Sequence, residues 1–220
     1  MYISSLIIEV TRKCNMKCEH CMRGGAQSKN IDYKYIDILL QQVDSISGVV
    51  FTGGEPSLNT DAIEYFLRVC KRRNIDISYF LIATNGKNIK EEFVIACLKL
   101  YSYCSDKEVC TVVLSNDIYH KPFNTNYELL KGLSFFTKRN KNDNAQYNLI
   151  KEGRAKYLGT RDLYEHEIID EDDFQNNEIY LNVNGDIING CDWSYVSQPK
   201  HKLCHVSELN EFYQTLSVTA

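Results

Sequence analysis

The sequence has little that would tie it to a membrane, a polyanion or a disordered linker. Among 220 residues there are 3 prolines, and no Gly/Ser-rich or Pro-rich stretch interrupts the chain, which argues against a flexible connection between separately folded parts. Lys and Arg number 25 against 29 Asp and Glu, a formal charge of -4, so there is no bulk positive field to draw in nucleic acid or an anionic bilayer. The cluster Lys138, Arg139 and Lys141 reads as a solvated loop. No apolar run approaches the roughly 18 residues of a membrane span. The opening Met1-Tyr-Ile-Ser-Ser-Leu-Ile-Ile-Glu-Val10 lacks a basic n-region and is broken by Glu9, unlike a secretory signal. These absences predict a soluble, cytoplasmic protein with neither membrane nor nucleic acid as a partner.

What is plentiful is apolar residues, at 44%, and cysteine, at 9. The first is ample for a core, and the length fits one domain or one domain with a short appendage. The second is high and odd for a reducing compartment, which argues against a disulfide framework and towards metal, catalysis or core packing. Spacing has to separate these.

Apolar strand-like runs alternate with segments of helical period. Ser5 to Val10 reads as a strand; after a loop carrying three cysteines, Ile36, Leu39, Leu40 and Val43 recur at helical spacing. Gly48 to Phe51 is a short buried strand, and Asn59-Thr60-Asp61 offers capping oxygens ahead of the stripe Ile63, Phe66, Leu67 and Cys70. Ile77 to Ala83 is a third strand followed by the helical stripe Phe93, Val94, Cys97, Leu98 and Tyr101. Cys110 to Leu114 is a fourth strand, with a weaker helix over Tyr127 to Leu133. Leu133 to Thr137 reads as a fifth strand, Lys138 to Asn144 as a solvated loop, and Glu178 to Val183 as a sixth strand ending in Asn184-Gly185-Asp186. Such alternation implies an α/β fold with a parallel sheet. Ligands of these sheets sit at the carboxyl ends of the strands. The distinctive residues fall there: the cysteines, Thr52-Gly53-Gly54-Glu55-Pro56, Thr84-Asn85-Gly86 and Ser115-Asn116-Asp117 follow strands one to four.

Cys14-Asn-Met-Lys-Cys18-Glu-His20-Cys21 has the spacing C-x3-C-x2-C. Three thiolates are one fewer than close an iron-sulfur cluster or a structural zinc site, so a cluster held this way keeps one iron open. Zinc completed by His20 or by a distant residue is the alternative. Gly53 and Gly54 let a ligand approach the backbone at a strand end, and Glu55 beside a proline suits an ammonium group.

The cysteine motif, with Gly-Gly-Glu-Pro after it, resembles that of the radical S-adenosylmethionine (SAM) superfamily. The resemblance implies an incomplete (βα)6 barrel over residues 1–190, with a short C-terminal segment, 191–220, capping it. It implies a 4Fe-4S cluster on Cys14, Cys18 and Cys21 and SAM chelating the open iron, cleaved to methionine and a 5′-deoxyadenosyl radical. By the same resemblance His20 takes the place of an aromatic residue near the adenine, and Thr52, Gly53, Gly54 and Glu55 bind the SAM amino group. The Thr84 hydroxyl, with Asn85, lies near the SAM carboxylate, while Ser115 and Asp117 contact its carboxylate or ribose. His120 resembles a histidine of many members and is a candidate substrate contact. Gly153-Arg154-Ala155 resembles a segment of peptide-modifying members, with Arg154 turning a cation towards the active site for the SAM carboxylate.

Asn184 to Trp193, with Cys204 and His205, resembles part of a SPASM or twitch extension. No cysteine lies between Cys110 and Cys191, so a second cluster is not expected. Zinc on Cys191, Cys204 and His201 or His205 is an alternative to plain thiols. Cys70, Cys97, Cys104 and Cys110 are read as core residues. The expected function is reductive cleavage of SAM and hydrogen abstraction from a substrate, with a peptide as the leading class and a flavodoxin or ferredoxin as electron donor. The alternatives are a nucleotide-like substrate, activation of a glycyl-radical partner, or a non-catalytic iron-sulfur or zinc protein.

Overall fold

The structure, a computed structural model, describes residues 1–87, 89–120, 127–139, 149–158 and 178–219. Its centre is a sheet of eight strands: β1 (Tyr2–Thr11), β2 (Ser45–Gly53), β3 (Asp76–Thr84), β4 (Thr111–Ser115), β5 (Phe136–Arg139), β6 (Glu178–Leu181), β7 (Asp186–Ile188) and β8 (Lys202–His205). The spatial order is β5-β4-β3-β2-β1-β6-β7-β8. The six strands from β5 to β6 are mutually parallel, whereas β7 and β8 pair antiparallel. This is the expected α/β architecture, a partly open sheet with six parallel strands. The segment after residue 190 supplies β8, which pairs with β7 through Ile187 and Cys204, and the helix α4 (Leu209–Thr219).

Helices α1 (Tyr33–Leu40), α2 (Thr60–Arg73) and α3 (Glu91–Tyr103) follow β1, β2 and β3. Their apolar stripes, Ile36/Leu39/Leu40, Ile63/Phe66/Leu67/Cys70 and Phe93/Ala96/Cys97/Leu100, are buried in one core with Leu6, Ile8, Val10, Val49, Phe51, Phe80 and Ile82 of the strands. Side chains on a strand alternate between faces, so Leu6, Ile8 and Val10 turn to the helices while Glu9 turns the other way. Cys70, Cys97, Cys104 and Cys110 are buried as expected.

Three local expectations are corrected. Asn59 caps no helix with its side chain; its Nδ2 donates to Val10 O at 2.6 Å, stitching α2 to β1. The helix expected over Tyr127 to Leu133 is a single 3-10 turn, Glu128–Leu130. With Gly132 beside it and only Leu130 buried in the turn, no helical stripe gains enough from burial to propagate. The fifth strand begins three residues and ends two residues later than expected, so Lys138 and Arg139 belong to β5 and not to a loop. Register with β4 pairs Val112 with Phe136 and Ser115 with Arg139. As the edge strand, β5 tolerates exposed charged residues along its length.

No helix among the described residues is long and apolar enough to cross a membrane.

Candidate active site

The cysteine loop is an excursion from β1 whose two ends are hydrogen-bonded to each other. Arg12 N donates to Lys29 O at 2.8 Å, Gln27 N to Arg12 O at 2.9 Å and Ile31 N to Val10 O at 3.0 Å. Within it Cys21 N donates to Cys18 O at 3.3 Å, and Cys14, Cys18 and Cys21 are free, half-buried thiols.

The glycines after β2 are explained by this loop. Gly54 N donates to Thr11 O and Glu55 N to Lys13 O, both at 2.8 Å. A Cβ on Gly53, whose φ is +145°, would lie 2.0 Å from Thr11 O, and one on Gly54 2.2 Å from Lys13 O. The backbone that approaches the two glycines is therefore the cysteine loop's own, a packing constraint that only glycine satisfies.

Glu55 is buried, at 1% exposure. Its carboxylate accepts from Thr84 Oγ1 at 2.6 Å, Asn85 N at 2.8 Å and Ser57 N at 3.2 Å. The last bond caps the 3-10 turn Pro56–Asn59, with Pro56 at its first position. Burial raises the Glu55 carboxyl above its ordinary range even against these hydrogen bonds. All three donors are neutral, which leaves the carboxylate electrostatically suited to a cation.

The Thr-Asn-Gly segment acts on this carboxylate and on the loop. Thr84 spends its proton on Glu55, and Asn85 Nδ2 donates to Asn15 Oδ1 at 2.9 Å and lies 3.9 Å from Cys14 Sγ. Burial, with further contributions from the Glu55 carboxylate and the other two thiols, pushes the Cys14 thiol up. Metal binding must therefore displace a firmly held proton.

On the far side, His120 Nδ1 sits 2.6 Å from Asp117 Oδ1, and His20 Nε2 3.8 Å from Asp117 Oδ2. The His20 ring stacks on Tyr119 at 4.2 Å and meets His120 edge-on at 5.0 Å. Burial pushes the Asp117 carboxyl up, but the hydrogen bond and charge of His120, with His20 and Tyr119 N, bring it down to about 2. Burial lowers the His120 imidazolium, while hydrogen bonds to Asp117 and Cys18 and the charge of Asp117 raise it to about 9. The His120 contribution to folding is thus complete below its ordinary 6.5 and lost as pH rises through about 9. In the metal-free protein, Asp117→Asn is expected to move the His120 midpoint from about 9 towards 6.5, read by proton NMR titration. An unmoved midpoint would show that Asp117 is not its cause.

The three thiols, Glu55, Thr84, Asn85, His20, Asp117 and His120 border one cavity of about 330 Å³. Every site residue expected from sequence lines it: Cys14, Cys18, Cys21, His20, Thr52, Gly53, Gly54, Glu55, Thr84, Asn85, Ser115, Asp117, His120 and Arg154. Four strand ends do converge. The cavity also takes Met16, Met22, Leu149, Ile150 and Arg139, which the sequence reading missed. Arg139 was assigned to a solvated loop, and only the register of β5 against Ser115 brings it here.

The donor set bears on the choice between cluster and zinc. A zinc ion with thiolate ligands at about 2.3 Å needs its sulfurs roughly 3.8 Å apart. Among the described residues the compact group of that kind is His20, Asp117 and His120, within 4.8 Å of one another, and it includes no cysteine. The three cysteines form no such compact group among the described residues and open on the cavity, which suits the wider span of a cluster. At the C-terminus, Cys191 is exposed, Cys204 is buried on β8, and neither joins His201 or His205 in a ligand group among the described residues.

The cavity thus lies at the carboxyl ends of parallel strands, with the thiol loop on one wall and strand-end loops on the others. A family model described as the Radical SAM superfamily matches residues 8–104. The matched segment takes in the three cysteines, Gly53, Gly54, Glu55 and Thr84. The chain is similar to the protein named Uncharacterized protein MJ0907 of Methanocaldococcus jannaschii, 38% identical over 93 residues, covering 40% of this chain and 32% of that one. It is also similar to a probable GTP 3′,8-cyclase of the same organism, 35% identical over 89 residues, covering 38% of this chain and 29% of that one. These matches take in about a third of the relatives' own length. Among solved structures, BtrN in an open conformation shares the fold, with a TM-score of 0.52 at 13% identity, over 96% of this chain and 79% of that one.

Proposed function

We propose that this protein is a radical SAM enzyme that reductively cleaves SAM and abstracts hydrogen from a substrate, with peptides as the substrate class. The observation that carries the reading is that one cavity joins three open thiols to a buried carboxylate whose recorded donors are all neutral. The chemistry supplied by a 4Fe-4S cluster, when bound, is the one-electron reduction of SAM to methionine and a 5′-deoxyadenosyl radical.

Cys14, Cys18 and Cys21 hold the cluster, and Glu55 receives the SAM ammonium in a site where an unpaired charge would be costly. Thr84 and Asn85 N orient that carboxylate. Ser115 and Arg139, paired in register on β4 and β5, offer a hydroxyl and a planar cation to the SAM carboxylate. Asp117 serves the ribose and His20 the adenine, with Tyr119 backing the His20 ring. Met16, Met22, Leu149 and Ile150 provide apolar wall that excludes water from a reactive carbon radical. The electron donor in this reading is a flavodoxin or ferredoxin.

The peptide assignment is supported by the Gly153-Arg154-Ala155 segment and by the β6–β7 hairpin, which turns at Gly185 shortly before Cys191. A nucleotide-like substrate is the second reading, favoured by the similarity to proteins named probable GTP 3′,8-cyclase. The test is anaerobic: reconstitute the full chain with iron and sulfide, add dithionite and SAM, and assay 5′-deoxyadenosine by chromatography, alone, with a peptide pool and with GTP. Formation of 5′-deoxyadenosine is expected, stimulated by peptide. Stimulation by GTP alone would transfer the assignment to nucleotides. A loaded cluster that never cleaves SAM would leave the electron-carrier reading.

A further inference from the structure

The Gly153-Arg154 pair packs against the backbone of the cysteine loop. Arg154 Nε donates to Cys18 O at 2.7 Å, its Nη1 donates to Gly24 O, and its backbone N donates to Cys21 O at 2.9 Å. The same Cys21 carbonyl accepts from Gly24 N at 3.2 Å. Gly153 adopts φ +56°, and a Cβ there would lie 2.3 Å from Met22 O and 2.6 Å from Gly24 N. The pair therefore seats directly on the backbone of Cys18 to Gly24, and two of the three cluster cysteines present their carbonyls to one residue.

The seat is anchored. The Glu152 carboxylate accepts from Ser194 N and Ser197 Oγ, each at 3.0 Å, and Arg23 Nη1 donates to Trp193 O at 2.7 Å while Tyr195 N donates to Arg23 O at 3.1 Å. The cysteine loop, the segment 152–154 and the segment 193–197 thus form one hydrogen-bonded unit.

We propose that Arg154 is a positioning residue that clamps the cysteine loop in its cluster-binding shape and fixes a positive charge beside the cluster, instead of serving as the SAM carboxylate ligand. Two physical facts carry this. A guanidinium is a planar fork of donors, so Arg154 can hold the Cys18 and Gly24 carbonyls, six positions apart in sequence, at a set separation, which the point charge of a lysine cannot do. Both its recorded side-chain bonds are to the loop's backbone. A fixed cation also favours the more negative, reduced state of a cluster.

The proposal rests on the reading that Cys14, Cys18 and Cys21 hold the cluster, and the experiment separates the two. Wild type, Arg154→Gln, Arg154→Lys and Gly153→Ala are reconstituted anaerobically. Iron content, the rate of bleaching under a chelator, the midpoint potential and SAM affinity are measured, with circular dichroism of each metal-free protein as the folding control. Orienting groups behind metal ligands typically change metal affinity by about 10- to 100-fold. Arg154→Gln is accordingly expected to bleach at least about tenfold faster and to shift the potential to a more negative value. Arg154→Lys should bleach fast but keep a potential near wild type, since it retains the charge without the fork. Gly153→Ala should bleach fast through loss of the seat. Bleaching and potential unchanged in both Arg154 variants, with SAM affinity lost, would overturn the clamp and return Arg154 to the SAM carboxylate. A wild-type protein that takes up no cluster would instead overturn the underlying assignment of the cysteines.

Discussion

Cys18→Ala is expected to abolish cluster assembly: the reconstituted variant should lack the broad brown absorption of a 4Fe-4S centre and retain essentially no iron. With one of three ligands removed, two thiolates cannot hold a cluster that already uses one fewer than the usual four. The neighbouring ligand group is His20, Asp117 and His120, which offers imidazole and carboxylate but no thiolate in its place. Cys191→Ala supplies the contrast. Cys191 is exposed and lies outside the cavity lining, so that variant should keep about four irons per chain, the content of a single 4Fe-4S cluster. Iron at half the wild-type value in Cys191→Ala would reveal a second centre. A brown Cys18→Ala protein would place the cluster on other residues.

Glu55→Gln is expected to leave the cluster intact and weaken SAM binding roughly a hundredfold, the loss of about 3 kcal/mol that follows from removing one partner of a buried ion pair. The substitution keeps the shape and the acceptor for Thr84 Oγ1 but deletes the charge facing the cavity. Equilibrium binding of SAM to the reconstituted, unreduced protein measures it without requiring turnover. The pH dependence gives a second reading. Burial raises the Glu55 carboxyl above its ordinary range, so SAM affinity should fall as pH is lowered, and at a higher pH than an ordinary carboxylate would impose. The Gln variant should lack that dependence. Equal SAM affinity in the two proteins would remove Glu55 from the binding site and leave it as a cap for the turn at Pro56.

The two experiments probe different halves of one device. The cysteine loop is zipped to Gly54 and Glu55 through the Thr11 and Lys13 carbonyls, and Glu55 is in turn held by Thr84 and Asn85. Asn85 reaches back to Asn15 and the Cys14 sulfur. The three cysteines proposed as metal ligands and the Glu55 carboxylate proposed to bind SAM are therefore positioned by one network, and substitutions at its shared members, such as Asn85, should not separate cluster retention from SAM affinity as cleanly as those at Cys18 and Glu55 should.

What the sequence by itself determined is the local chemistry and its order. Three cysteines at C-x3-C-x2-C, outside any apolar stripe, report ligands because packing gives no reason for them. The alternation of β-branched runs with helical stripes reports a parallel sheet because the two periods, near 2 and 3.6, bury different faces. From these, the convergence of four strand ends on one cavity could be read before any coordinates. Tertiary structure alone decided the partners across the sheet and behind the loop. Arg139 reads as a surface charge in its own sequence neighbourhood and becomes a cavity residue only because register sets it opposite Ser115. Gly53 and Gly54 border the cavity, and they also make room for the Thr11 and Lys13 carbonyls, which no local pattern reveals. Arg154 looked like a cation for the site, yet its fork closes on Cys18 and Gly24, more than a hundred positions away. Spacing along the chain encodes which residues share a face, but long-range hydrogen bonds depend on how faces are brought together, and no local period carries that information.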